Sequence, residues 1–352
     1  MAPALVALFA GMWGGLVRLG IVAVGATSSP AEAHGPLMAL GFLGTLISLE
    51  RAVALGRSWS YGAPLATGLG AIATLLGAPG DLGPALMTLG GLVLWCDHLV
   101  LQRMAPSAHN AVMGLGAVAW SAAGLAWLSG ADAGRFAPLL AGFLVLTIVG
   151  ERLELTRVTP RPRHAVWVLL AAVGVFAGGL GASLAAEDVG MRVAGLGLIA
   201  QAAWLARHDV ARRTVRRGGA TRFMASALLA GYAWLAVAGA LWASGSWSVA
   251  GRAYDASLHA VFLGFAMSMV FAHAPVIVPA VLRRPLPFNR VFYSHLVLLH
   301  ASLALRLAGG DLAGDDALWR WGGALNELAI LLFLAVSAGV AVRAGRKPRR
   351  GA

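Results

Sequence analysis

Long apolar runs follow one another along almost the whole chain, and only short polar connections separate them. They occupy about 3–24, 35–56, 61–79, 82–103, 108–129, 136–156, 164–186, 190–206, 222–245, 256–282, 288–308 and 317–342. A helix needs roughly 20 apolar residues to cross about 30 Å of hydrocarbon. The pattern therefore predicts an all-α, polytopic membrane bundle of about twelve transmembrane helices, in a single transmembrane domain over 1–352.

The composition agrees with this prediction. Hydrophobic residues make up 59% of the 352 positions and charged residues 12%, and the mean hydropathy is +0.77. A soluble domain carries about 25% charged residues. The single cysteine, Cys96, excludes an internal disulfide and a metal site built from cysteines alone.

Basic residues cluster where the even-numbered runs end. Of the 27 lysine and arginine residues, all but six follow an even run; the six are Arg18, Arg135, Arg192, Arg252, Arg306 and Arg320. By the positive-inside rule, this distribution predicts that both termini lie in the cytoplasm. The net charge of +12 then reflects topology in a lipid bilayer, and no nucleic-acid partner is expected.

A similar segment recurs in the second, sixth and tenth predicted helices. The three copies read GFLGTLISLERAVAL from Gly41, GFLVLTIVGERLELT from Gly142 and GFAMSMVFAHAPVIV from Gly264. Nine residues after these glycines stand Glu50, Glu151 and His273. Either the Gly-Phe match is chance, or the chain is a repeat of three units. The repeat predicts three pseudo-symmetric four-helix arcs, at about 1–104, 105–210 and 220–345.

Three histidines lie at similar depth near the outer surface. His34 and His259 open the second and tenth helices, and His300 lies in the outer half of the eleventh. Ionisable groups inside a bilayer are candidates for function, and neutral imidazole is a good ligand for a metal or haem iron. The alternative is that each histidine only forms a hydrogen bond between packed helices. Asp255, one turn before His259, lies on the same helical face.

Two arginines lie at a matching depth. Arg18 is in the outer part of the first helix, within an apolar run, and Arg306 is in the outer part of the eleventh. Guanidinium groups pair bidentately with carboxylates such as haem propionates. The alternative is that both side chains extend to the lipid headgroups.

A second polar layer is expected nearer the cytoplasm, formed by Glu50, Glu151, His273 and His295. This layer is predicted to relay protons or to bind a second metal through the two histidines. The glutamates have a simpler alternative as paired charges at helix ends, because an arginine follows each one. Glu327 differs from them, since it lies near the middle of the last helix as an intramembrane carboxyl group.

The residues around the first two histidines resemble a known family. HGPLM at 34–38 is similar to the second helix of the haem–copper oxidase catalytic subunit, where a histidine ligates the low-spin haem. SLHAVFLGFAMSMVFAHAPVI at 257–277 resembles NnrS, a family of twelve-helix haem proteins associated with bacterial nitric oxide metabolism. The resemblance implies twelve helices in three arcs, with the low-spin haem ligands in the second and tenth helices.

The chain departs from the oxidase pattern at the copper site. The sixth helix has no histidine, the seventh has only His164 at its cytoplasmic end, and Val261 stands two residues after His259 where a second histidine would be needed. Copper is therefore not supported by an oxidase-type set of ligands. The resemblance implies at most one haem b, with His34 and His259 as axial ligands, Arg18 and Arg306 at its propionates, and His300 as a substitute ligand.

Two functions of different classes follow from these patterns. The first is a haem-binding inner-membrane protein related to NnrS, linked to nitric oxide or respiratory redox metabolism and served by a redox partner. The second is a secondary transporter, for which twelve helices, internal repeats and a buried acid such as Glu327 are ordinary features.

Overall fold

The computed structural model describes residues 1–23, 29–158, 162–245, 251–282 and 285–345. These residues form α-, 3₁₀- and π-helical segments and no β-strand. The predicted all-α fold is therefore confirmed.

Twelve long helices result when contiguous helical segments are joined within this part of the chain. They are α1 Ala2–Arg18, α2 His34–Leu55, α3 Gly62–Leu75, α4 Leu82–Met104, α5 Ala108–Leu128, α6 Ala133–Leu155, α7 Arg163–Ser183, α8 Glu187–His208, α9 Gly219–Ala243, α10 over 252–282, α11 over 292–312 and α12 Asp316–Gly345. Nine of them, all but α1, α3 and α11, are long and apolar enough to cross a membrane.

Helix α1 ends six residues before the apolar run does. Gly20 adopts a left-handed conformation with φ +66°. Its N–H donates to Val17 O at 2.9 Å, and the N–H of Ile21 donates to Leu16 O at 3.1 Å. These two bonds form a Schellman motif, which satisfies the last carbonyls of the helix. Arg18 consequently lies in the last turn of α1 with an exposed side chain, in the outer part of the helix as expected.

Three helices lie inside a ring formed by the other nine. The outer helices touch in the order α1, α3, α4, α5, α7, α8, α9, α11 and α12, and α12 returns to α1. Inside this ring, α6 touches both α2 and α10. The most apolar stretch of α6 is 89% buried and that of α10 is 78% buried, whereas that of α2 is 56% buried, as is that of the outer helix α8. The inner helices are thus the three that carry the Gly-Phe segment.

Glycine allows some neighbouring helices to approach almost backbone to backbone. A Cβ on Gly195 of α8 would lie 2.4 Å from the backbone nitrogen of Ala243 in α9, and a Cβ on Gly239 would lie 2.8 Å from the carbonyl oxygen of Gly195. No other residue fits at this crossing without moving one helix. Small residues at helix contacts are typical of helices that pack in lipid.

Helices α2, α10 and α11 each contain a π-helical stretch, at Leu37–Gly44, Ala260–Met267 and Leu305–Leu312. In α10 this stretch begins directly after His259, and in α2 it begins three residues after His34. A π-helical turn rotates the side chains that follow it and is frequent at functional sites. Both histidines therefore sit just above a local change in helical pitch.

Candidate functional site

A cavity of about 870 Å³ opens at the end of the bundle opposite the arginine-rich ends of the even helices. The last turns of α1, the first turns of α2, α6, α8, α10 and α12, and Arg306 of α11 line it. Its volume falls within the roughly 300–1,000 Å³ typical of small-molecule and cofactor sites.

His34 and His259 both line this cavity, on the inner helices α2 and α10. Their ring centroids are 6.4 Å apart and their ring planes are inclined by 25°. The two histidines are 225 residues apart in the sequence, and the packing of two inner helices places them close together. The fold therefore brings together the two histidines that the sequence pattern singled out.

Each of these histidines is held through the same ring nitrogen. Nδ1 of His34 lies 2.7 Å from the carbonyl oxygen of Gly11 in α1, and Nδ1 of His259 lies 2.8 Å from the carbonyl oxygen of Asp255. A carbonyl oxygen only accepts hydrogen bonds, so both Nδ1 atoms carry the proton. Nε2 of each neutral ring then keeps its lone pair, as a metal-binding imidazole requires.

Asp255 forms the centre of a charged network beside His259. Its carboxylate accepts two hydrogen bonds from Arg306, at 2.8 Å each, and one from Nε1 of Trp319 at 3.1 Å. One carboxylate oxygen also lies 3.2 Å from Nδ1 of His259. The expected contact between Asp255 and the imidazole is present, but the shorter hydrogen bond goes to the backbone carbonyl of Asp255. Two of the three guanidinium nitrogens of Arg306 thus face Asp255.

Trp319 was not anticipated from the sequence. Two guanidinium groups lie over its ring, those of Arg252 at 5.9 Å and Arg306 at 5.8 Å from the ring centroid. Arg252 also pairs with Asp316 at the start of α12. A tryptophan near a helix start is ordinary in apolar sequences, so no local signal marks this one.

Glu327 and Asn326 reach the same cavity from α12. Oε2 of Glu327 is buried and has no hydrogen-bond partner among the described residues. A Cβ placed on Gly15 would lie 2.7 Å from Oε1 of Glu327 and 3.1 Å from Cε1 of His34. Glycine at position 15 therefore leaves the space in which the carboxyl group and the imidazole come close.

The cavity is lined by Arg18 but not by His300. His300 is not among the lining residues, and its Nδ1 accepts a hydrogen bond from Nε1 of Trp234 at 2.9 Å. This placement gives no support to His300 as a substitute ligand. Arg18 lines the cavity, and its Nη1 donates to Ala31 O at 3.5 Å.

The two histidines of the second polar layer have different surroundings in the structure. Nδ1 of His273 lies 2.7 Å from the carbonyl oxygen of Met269, whereas neither ring nitrogen of His295 has a hydrogen-bond partner among the described residues. His295 instead packs against four aromatic rings, those of Phe223, Phe271, Phe292 and Phe333. Within the described ranges, no group of three or more His, Cys, Asp or Glu side chains is arranged for a metal ion. Binding of a second metal at these two histidines stays a prediction.

The glutamates of this layer lie near arginines. Glu151 is 3.9 Å from Nη2 of Arg51, and Glu50 is exposed. The closest charged contact at this end is a different one, in which Arg152 donates to both carboxylate oxygens of Asp209 at 2.8 and 2.9 Å. Two residues that are 57 positions apart carry no signal of their pairing, so sequence reasoning missed this pair.

A haem group fits the chemistry of the cavity. Two imidazoles that share one iron at Fe–N distances of about 2 Å have ring centroids roughly 6.3 Å apart. The observed 6.4 Å between His34 and His259 agrees with that spacing. His34 and His259 would hold the iron, and Arg18 is placed to meet a carboxylate at the rim.

The described residues define an all-helical protein in which a ring of helices surrounds three inner ones, with a histidine-lined cavity at one end. The chain matches a protein-family model described as "Domain of unknown function (DUF8744)" over residues 1–342. It therefore belongs to that family. No curated protein matches it.

Proposed function

We propose that this chain is a haem-binding integral membrane protein of the bacterial inner membrane. Several features support twelve transmembrane helices. Nine helices have the length and composition to span a bilayer, and large apolar side chains cover their outer faces, with Trp167 72%, Leu196 57% and Leu125 55% exposed. A soluble monomer rarely exposes so much apolar surface. The arginine-rich end, where α1 begins and α12 ends, is then cytoplasmic.

The twelve helices form three pseudo-symmetric arcs of four in this proposal. Each arc places its second helix, α2, α6 or α10, inside the ring of the others. The same three helices carry the repeated Gly-Phe segment, which supports a repeat that is structural as well as sequential.

The cavity binds one haem b, with His34 and His259 as axial ligands. One observation carries this proposal: the two rings lie 6.4 Å apart across the cavity, and the Nδ1 atom of each is engaged by a backbone carbonyl. When bound, the haem would supply an iron for electron transfer or for binding of a small ligand. The chain itself holds both rings in one tautomer and offers Arg18 to a propionate at the cavity rim. This role agrees with the resemblance to NnrS and with a link to nitric oxide or respiratory redox metabolism.

The optical spectrum of the purified protein tests the proposal. We expect a Soret band and one haem per chain after expression with sufficient haem. The double variant His34→Ala/His259→Ala should lose the band, whereas His300→Ala, which changes a half-buried histidine outside the cavity, should keep it. A folded wild-type protein without a Soret band would refute haem binding.

A secondary transporter remains the second candidate, because one observation favours it. The carboxyl group of Glu327 lines the cavity, its Oε2 has no hydrogen-bond partner among the described residues, and such a group could bind a cation or a proton. A transporter would bind or move its substrate in the absence of haem. Proton-coupled uptake into vesicles that contain the haem-free protein, abolished in Glu327→Gln, would favour this function.

A further inference from the structure

The two histidines of the cavity are held with unequal strength. His34 has one interaction through Nδ1, with the neutral carbonyl of Gly11 on a different helix. His259 interacts with the carbonyl of Asp255 at 2.8 Å and with its carboxylate at 3.2 Å. That carboxylate is itself fixed by two hydrogen bonds from Arg306 and one from Trp319.

This difference has a direct consequence for metal binding. A carboxylate beside the ring N–H increases the basicity of the opposite nitrogen and fixes the orientation of the imidazole. A neutral carbonyl does this less strongly, because it carries no net charge. His259 is therefore the stronger and more rigidly oriented ligand of the pair.

The carboxyl group of Glu327 lies close to His34. Oε1 of Glu327 and Cε1 of His34 lie 2.7 and 3.1 Å from the position that a Cβ on Gly15 would take. The second carboxyl oxygen of Glu327 is buried and has no hydrogen-bond partner among the described residues. A carboxyl group in this position can accept the N–H of an imidazole that turns away from its first position.

We propose that His259 is the permanent axial ligand and that His34 is exchangeable, so that the cavity binds a small uncharged diatomic molecule in its place. This inference rests on the proposed haem. The exchange breaks one coordinate bond from Nε2 of His34 and forms one from the incoming molecule. No electron is transferred and no covalent bond within the diatomic molecule is broken.

Carbon monoxide and the dithionite-reduced wild-type protein give the first test. We expect saturating carbon monoxide to shift the Soret band of the wild-type holoprotein, which requires one histidine to leave. An unchanged spectrum at saturation would overturn the inference while leaving haem binding intact. A wild-type protein without any Soret band would instead refute the proposed function, so the two failures are distinguishable.

The single variants His34→Ala and His259→Ala give the second test. We expect His34→Ala to retain haem in a five-coordinate, high-spin form and to bind carbon monoxide at least tenfold more tightly than wild type. Added imidazole should restore its low-spin spectrum. His259→Ala should lose haem affinity at least tenfold more than His34→Ala. Equal losses in the two variants, or the reverse order, would contradict the assignment.

Substitution of Glu327 tests the acceptor for the displaced ring. Glu327→Leu removes the acceptor and should weaken carbon monoxide binding several-fold, whereas Glu327→Gln keeps an acceptor oxygen and should weaken it less. Equal carbon monoxide affinity in Glu327→Leu and wild type would exclude Glu327 from the exchange.

Discussion

The two ends of the bundle each contain a bidentate arginine–aspartate pair, and the pairs differ in their third partner. At the arginine-rich end, Asp209 binds Arg152 at 2.8 and 2.9 Å and accepts the backbone N–H of Ala211 at 2.7 Å. At the cavity end, Asp255 binds Arg306 at 2.8 Å twice and lies 3.2 Å from Nδ1 of His259.

The two ion pairs also differ in their exposure and in their position relative to the cavity. The side chains of Arg152 and Asp209 are 4% and 0% exposed, and neither lines the cavity. Arg306 and Asp255 are 8% and 17% exposed, and both line it. The same kind of ion pair therefore holds helices together at one end and orients a candidate metal ligand at the other. Distances within a buried pair do not reveal its role; the groups around it do.

The largest effect is expected at the fully buried pair. Arg152→Ala leaves the Asp209 carboxylate buried and without its partner, so the free energy of unfolding should fall by about 3–5 kcal/mol. Denaturant unfolding in detergent measures this change. The matched control is Arg192→Ala, which breaks an exposed pair with Asp188 and should cost about 0.5 kcal/mol or less. Similar losses in both variants would contradict the stabilising role of the buried pair.

The second prediction compares the same substitution, aspartate to asparagine, at the two ends of the bundle. Asp255→Asn removes the charge beside His259 while keeping the shape of the side chain, so haem affinity should fall by about 10–100-fold. Titration of the apoprotein with haem measures it. Asp209→Asn is the matched control and should reduce stability without changing haem affinity in the folded fraction. An equal effect of the two substitutions on haem affinity would remove the distinction between the ends.

A smaller effect is expected at Gly15 of α1. A methyl group there would meet Oε1 of Glu327 at 2.7 Å and Cε1 of His34 at 3.1 Å, so Gly15→Ala should displace one of them. We expect roughly fivefold weaker haem binding, which corresponds to about 1 kcal/mol. Gly174→Ala on α7 is the control, since its Cβ would meet no atom within 4 Å. An unchanged haem affinity in Gly15→Ala would show that this contact does not position His34.

Much of the fold could be predicted from the sequence because each long apolar run corresponds closely to one helix. The run at 82–103, for example, corresponds to α4 at Leu82–Met104. The end of α1 could not be predicted in this way, because apolar residues continue to position 24 and the helix stops where Gly20 turns left-handed. The π-helical stretches of α2, α10 and α11 also leave no trace in hydropathy.

The candidate site was partly predictable for a similar reason. His34 and His259 are polar residues in apolar helices, and their depth follows from their position after a helix start. The clustering of Glu327 with His34, and the pairing of Arg306 with Asp255, depend on which helices become neighbours. Such neighbours are fixed by the packing of the whole ring, and no local pattern encodes them.

The axial ligands of the ferric holoprotein give the most direct test of the central claim. Two thioethers, those of Met38 and Met267, also line the cavity and are the competing ligands. Near-infrared magnetic circular dichroism distinguishes a pair of imidazoles from an imidazole with a thioether. Our account predicts a low-spin ferric haem with two imidazole ligands in the wild-type protein. An imidazole–thioether signature, or a bis-imidazole signature that persists in His34→Ala, would contradict it.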